Sequence, residues 1–499
     1  MTTALVLLVI VPLAATVACV WLPLRAAQAA TLASGLVSLG LVLTLLWAPG
    51  QSVEAGWLMV DPLSLVFLLA VGFLYPAVAA YSIGYLADEA NAAAAAGPQA
   101  QADFERYARR FSLGLNAFAW AMLCAPAVNG LALLWVAIEV TTVISALLVA
   151  IDATDGATEA AWKYVLIASS GLGIGLLATV FMYYAGAQVL GQSYDLAFAP
   201  LLQHAAQLPA TPVRLAFVLA VLGFGTKVGL FPVHTWLPDA HSEAPSPVSA
   251  LLSGALLVVS FYAILRYLQV AQLTLGAQFP HDVLLIFGVA SLALAALYLL
   301  DQRDLKRLLA YSSVEHMGIL AIGVGFGAPM AAAGVLLHVL GHAAAKGNAF
   351  MGAGVLVRRF GTKDLHRLRG GLDALRWTGP LLLLAVLALS GMPPFALFRS
   401  EFQIVVGGFT TSAWAAAALV GLVVIAFAGL AGSITSVLFR PRVAADDQDE
   451  VAAMSRAGSG WMLAPVIAGV VVLIVLGVHP PAVLSDLLAR GAAELTGGQ

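Results

Sequence analysis

Stretches of about twenty apolar residues, each long enough to cross a bilayer, follow one another along almost the whole chain. They fall at about 3–23, 29–48, 62–86, 111–128, 130–150, 161–185, 214–232, 246–268, 283–301, 307–326, 330–357, 379–407, 412–438 and 460–479. A segment in the hydrocarbon core has no water to satisfy its backbone, and a helix satisfies its own. The pattern predicts an all-α polytopic membrane protein of about fourteen transmembrane helices. Only 10% of residues are charged, against ~25% in an ordinary soluble domain. The N-terminal run lacks the positive region of a signal peptide and is long enough to span, so it reads as a retained first helix.

Charge placement tests the count. Arg106, Arg109 and Arg110 follow span three, and Arg303, Lys306 and Arg307 follow span nine. Arg358, Arg359, Lys363, Arg367, Arg369 and Arg376 follow span eleven, and Arg440, Arg442 and Arg456 follow span thirteen. Basic loops thus follow odd-numbered spans, and cytoplasmic loops are the ones enriched in Lys and Arg. Both termini are expected on the outer side of the plasma (inner) membrane.

Several function classes drop out. A net charge of −3 without a basic, aromatic-interleaved run offers nothing to nucleic acid. Cys19 and Cys124 are unclustered, which argues against an iron–sulfur cluster or a disulfide framework. The connections leave no room for a nucleotide or flavin domain. The alanine-rich 87–110 reads as a surface loop or short helix, and 442–460 as a cytoplasmic linker. "GLGIG" at 171–175 lies inside a span, where close helix packing explains it better than phosphate binding.

Charges inside the spans therefore carry the functional information. Glu139 sits in "LLWVAIEVTTVISALL" with apolar residues on both sides, and Lys227 in "FGTKVGLFPVHTW" is followed by Pro232 and His234. A charged amine at bilayer depth costs at least ~3 kcal/mol even on insertion scales, and a broken helix is tolerated there where it is buried or lines a cavity. A second interruption, "LALSGMPPFALFRSEFQIV", carries Pro393, Pro394, Arg399 and Glu401. These breaks lie in spans seven and twelve, five helices apart, and point to two inverted five-helix repeats. The organisation expected is 1–110 for helices 1–3 and a loop, 111–268 and 269–440 for the two repeats, and 441–499 for a linker and helix 14.

Between the breaks, His338, His342 and Lys346 recur at four-residue steps and so share one helix face. A neutral imidazole accepts a proton at one nitrogen and releases one at the other, so the row reads as a proton relay. A metal or b-haem site is the competing reading. It is disfavoured because both histidines share a helix, where haem needs facing ones, and no H-E-x-x-H occurs. Packing histidines without a relay role are a third reading. "HTWLPDAHSEAPSPVSALLSG" adds Asp239, His241 and Glu243, and "DLKRLLAYSSVEHMGIL" adds Glu315 and His316. For Asp239 and Glu243 a solvated loop is an equal alternative.

Together with "HAAAKGNAFMGAGVLV" and "GMPPFALFRSEF", these segments closely resemble the antiporter-like membrane subunits of respiratory complex I, group 4 membrane-bound hydrogenases and multisubunit cation/proton antiporters. The similarity runs from about Asp61 to about Phe439. The glutamate in "SSVEHMG" and the stretch "PPFALFRSEF" are most similar to the hydrogenase-4 component F type. The resemblance implies a fourteen-helix fold with a hydrated line of charges at mid-membrane. In it Glu139, Lys227 and Lys346 correspond to the glutamate of helix five and the lysines of helices seven and eleven, and Glu401 to the terminal residue of helix twelve. Arg399 departs from the pattern, and a pairing with Glu401 is one role open to it.

The expected proton path is Glu139, Lys227, His234, His241, Glu315, His316, His338, His342, Lys346 and Glu401, with helix breaks at Pro232, Pro393 and Pro394 and no metal. The expected function is proton translocation in a redox-driven assembly, with Lys227 paired electrostatically to Glu139. No cofactor is expected in this chain. Partner membrane subunits and a cytoplasmic peripheral arm would carry iron–sulfur clusters and, in a hydrogenase, a nickel–iron centre. A Na+/H+ antiporter subunit, a subunit coupled to a CO2-hydrating protein, and a scaffold with a vestigial channel are the alternatives.

Overall fold

The computed structural model describes residues 1–47, 52–441 and 460–497. Its main helices are α1 (Thr2–Ala18), α2 (Leu24–Leu45), α3 (Pro62–Ala96), α4 (Pro98–Ala127), α5 (Leu131–Val149), α6 (Asp155–Leu190), α7 (Ala210–Val228) and α8 (Leu237–Glu243). They continue as α9 (Ser246–Leu275), α10 (Gln278–Leu299), α11 (Leu305–Gly325), α12 (Pro329–Phe360), α13 (Thr378–Leu389), α14 (Ala396–Thr411), α15 (Ala413–Phe439), α16 (Gly460–Val478) and α17 (Ala482–Thr496). Ten of these helices are long and apolar enough to cross a membrane. α1 and α13 are apolar but shorter, while α4 and α12 run for 30 and 32 residues.

The burial gradient shows where the core lies. The most apolar window of α9 is 100% buried and that of α11 94%, whereas that of α15 is 28% buried. α9, α11 and α12 therefore form an inner column, and the outer helices turn apolar side chains outward, as a lipid-facing surface requires. Glycine lets the helices approach. A Cβ on Gly171 would collide with the Thr226 side chain, and one on Gly223 with the backbone of Gly175. The "GLGIG" segment is thus a packing surface between α6 and α7, as its place inside a span predicts.

Three local differences from the sequence reading have simple causes. The alanine-rich 87–110 takes the helical alternative, but not as a separate short helix: α3 and α4 extend through it, divided at Gly97 with φ 113°, because alanine is the strongest helix former. A small antiparallel hairpin, Val53–Ala55 with Leu58–Val60, interrupts the all-α pattern, turning at Gly56 with φ 62°. The short helix α17 was not foreseen. It buries Leu487, Leu488, Gly491, Ala492 and Leu495, an amphipathic stripe on too short a run to span. The linker expected at 442–460 lies outside the described residues up to Gly460, and with it Arg442 and Arg456.

On the face where α3 begins, Arg266 is fully buried. It donates to Asp61 at 2.6 Å, Ser64 at 2.9 Å, Tyr262 at 2.8 Å and Gln269 at 2.9 Å. α17 docks on this cluster: Glu494 accepts from the Leu63 N–H at 3.2 Å, and its carbonyl from Gln269 at 3.2 Å. Arg266 is therefore a structural anchor.

Candidate proton-relay site

The first helix break is built by sequence. α7 ends at Val228, and Gly229 takes the left-handed conformation (φ 85°), which glycine adopts without a Cβ penalty. Pro232 follows, and α8 starts at Leu237. The indole N–H of Trp236 donates to the Thr226 carbonyl at 2.7 Å, satisfying an acceptor left free at the helix end.

Lys227 sits in the last turn of α7 and is fully buried. Its ammonium donates to Thr142 Oγ1 at 2.8 Å and to the Tyr164 hydroxyl, lying 4.5 Å from the centroid of that ring. Tyr164 in turn contacts Ser145 Oγ at 2.7 Å. Glu139, one turn from Thr142 on α5, accepts from Ser169 at 3.1 Å and leaves Oε2 without a partner among the described residues. No carboxylate lies within 4.0 Å of Lys227 among those residues. The expected Glu139–Lys227 association is thus not a direct ion pair: Lys227 donates to the Thr142 and Tyr164 hydroxyls, and Glu139 accepts from a different one, Ser169.

The region after the break divides. His234 is almost buried, with Nδ1 unpartnered among the described residues, and its ring lies 6.4 Å from that of Tyr311. His241 is fully buried with both nitrogens unpartnered among those residues, and stacks 5.2 Å from Phe350 and 6.5 Å from Trp236. Trp236 stands 4.4 Å from Tyr164. A ladder of rings thus joins the Lys227 pocket to α12. Asp239 and Glu243 are surface groups: Asp239 meets Lys163 at 3.2 Å and Arg307 at 2.6 Å, and Glu243 meets Lys363 at 2.8 Å.

Between them and the basic-loop face opens a cavity of about 460 Å³, lined among others by Asp152, Glu243, Lys306, Arg358 and Lys363. Lys306 caps the end of α8 through the carbonyls of Ser242 (3.2 Å) and Ala244. Burial pushes the Asp152 carboxyl above the usual carboxylate range, against the pull of the Tyr107 hydroxyl, Lys306 and Arg358.

The second cluster brings α11, α12 and α14 together. His316, His338 and His342 are fully buried, and one ligand-type nitrogen from each lies within 4.8 Å of the others. The bonding network assigns the tautomers. Ser400 donates its hydroxyl proton to the Leu397 carbonyl at 2.9 Å, so at 3.0 Å it accepts from His338 Nδ1. His338 Nε2 is then the acceptor, and His316 Nδ1 donates to it at 3.1 Å. That leaves His316 Nε2 a lone pair. His342 Nε2 donates to the Ser253 carbonyl at 3.2 Å, leaving Nδ1 the second lone pair. Neither nitrogen has a partner among the described residues. Ser253 lies in a π-helical turn, Leu252–Leu256, within α9, and such bulges recur at functional sites.

Lys346 is fully buried and donates to the Leu309 carbonyl at 3.0 Å and to Ser312 Oγ. Glu315, also buried, keeps Oε2 unpartnered among the described residues. Gly391, at φ 62°, stands against the half-buried Glu401, where a Cβ would collide with Oε2. Arg399 is not paired with Glu401: it donates to the Val478 carbonyl at 3.2 Å, at the end of α16. The two breaks share local chemistry, a positive-φ glycine three residues before a proline: Gly229 with Pro232 and Gly391 with Pro394.

Sequence reasoning found the charged groups but missed Thr142, Ser145, Tyr164, Ser253, Ser312 and Ser400. Their one signal is a hydroxyl inside an apolar span. His316 was included only as a neighbour of Glu315, whereas its ring stands 5.1 Å from those of both His338 and His342.

Residues 128–427 match the family described as NADH:quinone oxidoreductase/Mrp antiporter, TM. A hydrogenase-4 component F homolog from Methylacidiphilum infernorum (isolate V4) is 37% identical over 372 residues, covering 73% of this chain and 75% of the relative. NADH-quinone oxidoreductase subunit N from Desulforudis audaxviator (strain MP104C) is 31% identical over 397 residues, covering 78% of this chain and 75% of the relative. A chain of respiratory complex I from Thermus thermophilus with bound NADH superposes with a TM-score of 0.80 at 26% identity, covering 98% of this chain and 99% of that one. The matched interval contains every residue of the two clusters.

Proposed function

Because the chain belongs to the NADH:quinone oxidoreductase/Mrp antiporter transmembrane family, we propose that its buried clusters make it the proton-translocating membrane subunit of a redox-driven complex I-like or group 4 hydrogenase-like assembly. The observation that carries the mechanism is the state of the two lysines. Lys227 and Lys346 are fully buried in helices, and among the described residues each donates only to hydroxyl or carbonyl oxygens. A buried ammonium without a counter-ion is costly, and such a group is suited to taking up and releasing a proton.

Protons enter from the basic-loop face through the cavity at Asp152 and Lys306. In the second half a proton arriving at His316 Nε2 drives the Nδ1 proton onto His338 Nε2. His338 Nδ1 then protonates Ser400 Oγ, whose own proton leaves toward Glu401 and the outer side. The rings must turn over before the next transfer, which gives the relay a direction-setting reset. Changes in the Glu139–Thr142–Lys227 group bias this step electrostatically.

Counting α1, α4, α12 and the broken α13–α14 with the ten long apolar helices gives fourteen spans. The matched glycine–proline breaks support two inverted repeats, α4–α9 and α10–α15, each with one interrupted span. Both termini then face outward from the plasma membrane. The partners are other membrane subunits and a peripheral redox arm carrying iron–sulfur clusters, with a nickel–iron centre in a hydrogenase.

Purification of the tagged protein in mild detergent, with mass spectrometry of what accompanies it, tests the assignment. Iron–sulfur proteins should be recovered, and Lys227→Ala should abolish proton pumping while electron transfer in the partners continues. Recovery of antiporter subunits alone with Na+-dependent transport, or of a soluble CO2-hydrating partner, overturns the redox-coupled reading.

A further inference from the structure

The histidine cluster has a property that proton transfer does not require: all three of its N–H donors are engaged, while two of its three lone pairs are without a partner among the described residues. The sequence reading set haem aside because His338 and His342 share a helix, and zinc because no H-E-x-x-H occurs. The fold removes that objection by bringing His316 across from α11, so three imidazoles converge from two helices. Two of them present unpartnered lone pairs, at His316 Nε2 and His342 Nδ1, on side chains with no exposure.

We propose that His316, His338 and His342 form a binding site for a borderline divalent cation of the Zn2+ or Co2+ type, and that the bound ion closes the histidine relay. Closure rests on the proton-translocating reading; binding does not.

Ligand chemistry selects the ion class. Imidazole nitrogen suits Zn2+, Co2+ and Cu2+, whereas Mg2+ and Ca2+ demand oxygen ligands. The ligand atoms lie within 4.8 Å of one another. Around a tetrahedral zinc with bonds of ~2.0–2.1 Å they would sit roughly 3.4 Å apart, so the rings need close by little more than an ångström. Outer contacts already hold two rings, His342 through the Ser253 carbonyl and His338 through Ser400, as bound imidazoles are held by their second nitrogen. Coordination by all three costs the His316–His338 hydrogen bond. Lys346, four residues beyond His342 on α12, opposes the cation.

The full-length protein in detergent is titrated with Co2+, followed by visible d–d absorption, with Zn2+ as competitor. One Co2+ per chain in a tetrahedral spectrum, displaced by Zn2+, is the expected result. His342→Leu and His338→Gln should each weaken binding by more than about tenfold, since even loss of an outer-shell partner costs that much. Lys346→Met should tighten it, a change in the opposite sense that misfolding does not mimic. His366→Ala, at a surface histidine, should change nothing. Absent stoichiometric binding, binding that survives both histidine variants, or loss of binding in His366→Ala overturns the site. Stoichiometric binding with proton transport unaffected by Zn2+ overturns the closure and the relay reading, and leaves the site standing.

Discussion

Replacing Gly391 by alanine separates the cost of backbone strain from the cost of moving one carboxylate. Gly391 holds φ 62°, a conformation that costs an L-residue roughly 1–2 kcal/mol. The added methyl also collides with Glu401 Oε2, and the carboxylate must withdraw by roughly an ångström to restore van der Waals distance. A shift of that size in a reacting group can cost ~10²-fold in rate. Gly361 supplies the control: its φ is 65° and nothing lies within 4 Å of a Cβ built there, so Gly361→Ala carries the strain alone. Both variants should lose thermal stability to a similar degree, measured in detergent. In proteoliposomes or inverted vesicles, proton translocation should fall steeply in Gly391→Ala and stay near wild type in Gly361→Ala. Equal transport in the two variants, at equal loss of stability, would refute the argument that Glu401 must stand where Gly391 admits it.

Gly223→Ala should destabilise by about 1–3 kcal/mol as an overpacked helix contact, because its Cβ meets the backbone of Gly175. Gly421→Ala on α15, with nothing within 4 Å, should be neutral or slightly stabilising by thermal melting. Arg399→Ala should loosen the end of α16 by about 0.3–1 kcal/mol, the scale of a cation at a helix C-terminus, read by hydrogen exchange near Val478, with proton transport unchanged. Glu494, outside the spans, is pushed up to about 8 by burial and by Asp61, against Arg266, the Leu63 N–H and Arg490. Its folded pKa exceeds its unfolded one, so its contribution is complete below about pH 4.5 and is lost as pH rises through about 8. Hydrogen exchange in α17 should therefore accelerate between pH 5 and 8, and Glu494→Gln should flatten that dependence.

Much of this architecture was legible because the bilayer restricts what a chain can do. Charges cannot sit in a span without a function or a partner, so Glu139, Lys227, Lys346 and the two α12 histidines stood out against an apolar background. Both helix breaks were legible because proline cannot donate to a helix ladder. The hydroxyls that hold these groups were not: a serine inside a helix commonly bonds its own backbone, and nothing in "LLSGALL" says that a π turn will offer Ser253 to His342. The pairing of Arg266 was equally hidden, because its partner Asp61 lies 205 residues away. α17 was missed because its apolar stripe is too short for the length rule that found the spans.

The two clusters differ in a way that bears on how the halves communicate. In the cluster of α11, α12 and α14, exchangeable protons run without interruption from His316 through His338 to Ser400. Between the halves they do not. Trp236 commits its N–H to the Thr226 carbonyl, His241 has neither nitrogen engaged among the described residues, and Phe350, next in the ladder, has no exchangeable proton. The contacts of this ladder therefore do not carry a proton from Lys227 to Lys346. Along the ladder only the field of one charge can reach the other group, and that field weakens with separation and with the effective dielectric between them. The ring ladder is then best understood as a rigid, apolar spacer. It stands between the Lys227 pocket and α12 without a continuous run of hydrogen bonds among the described residues.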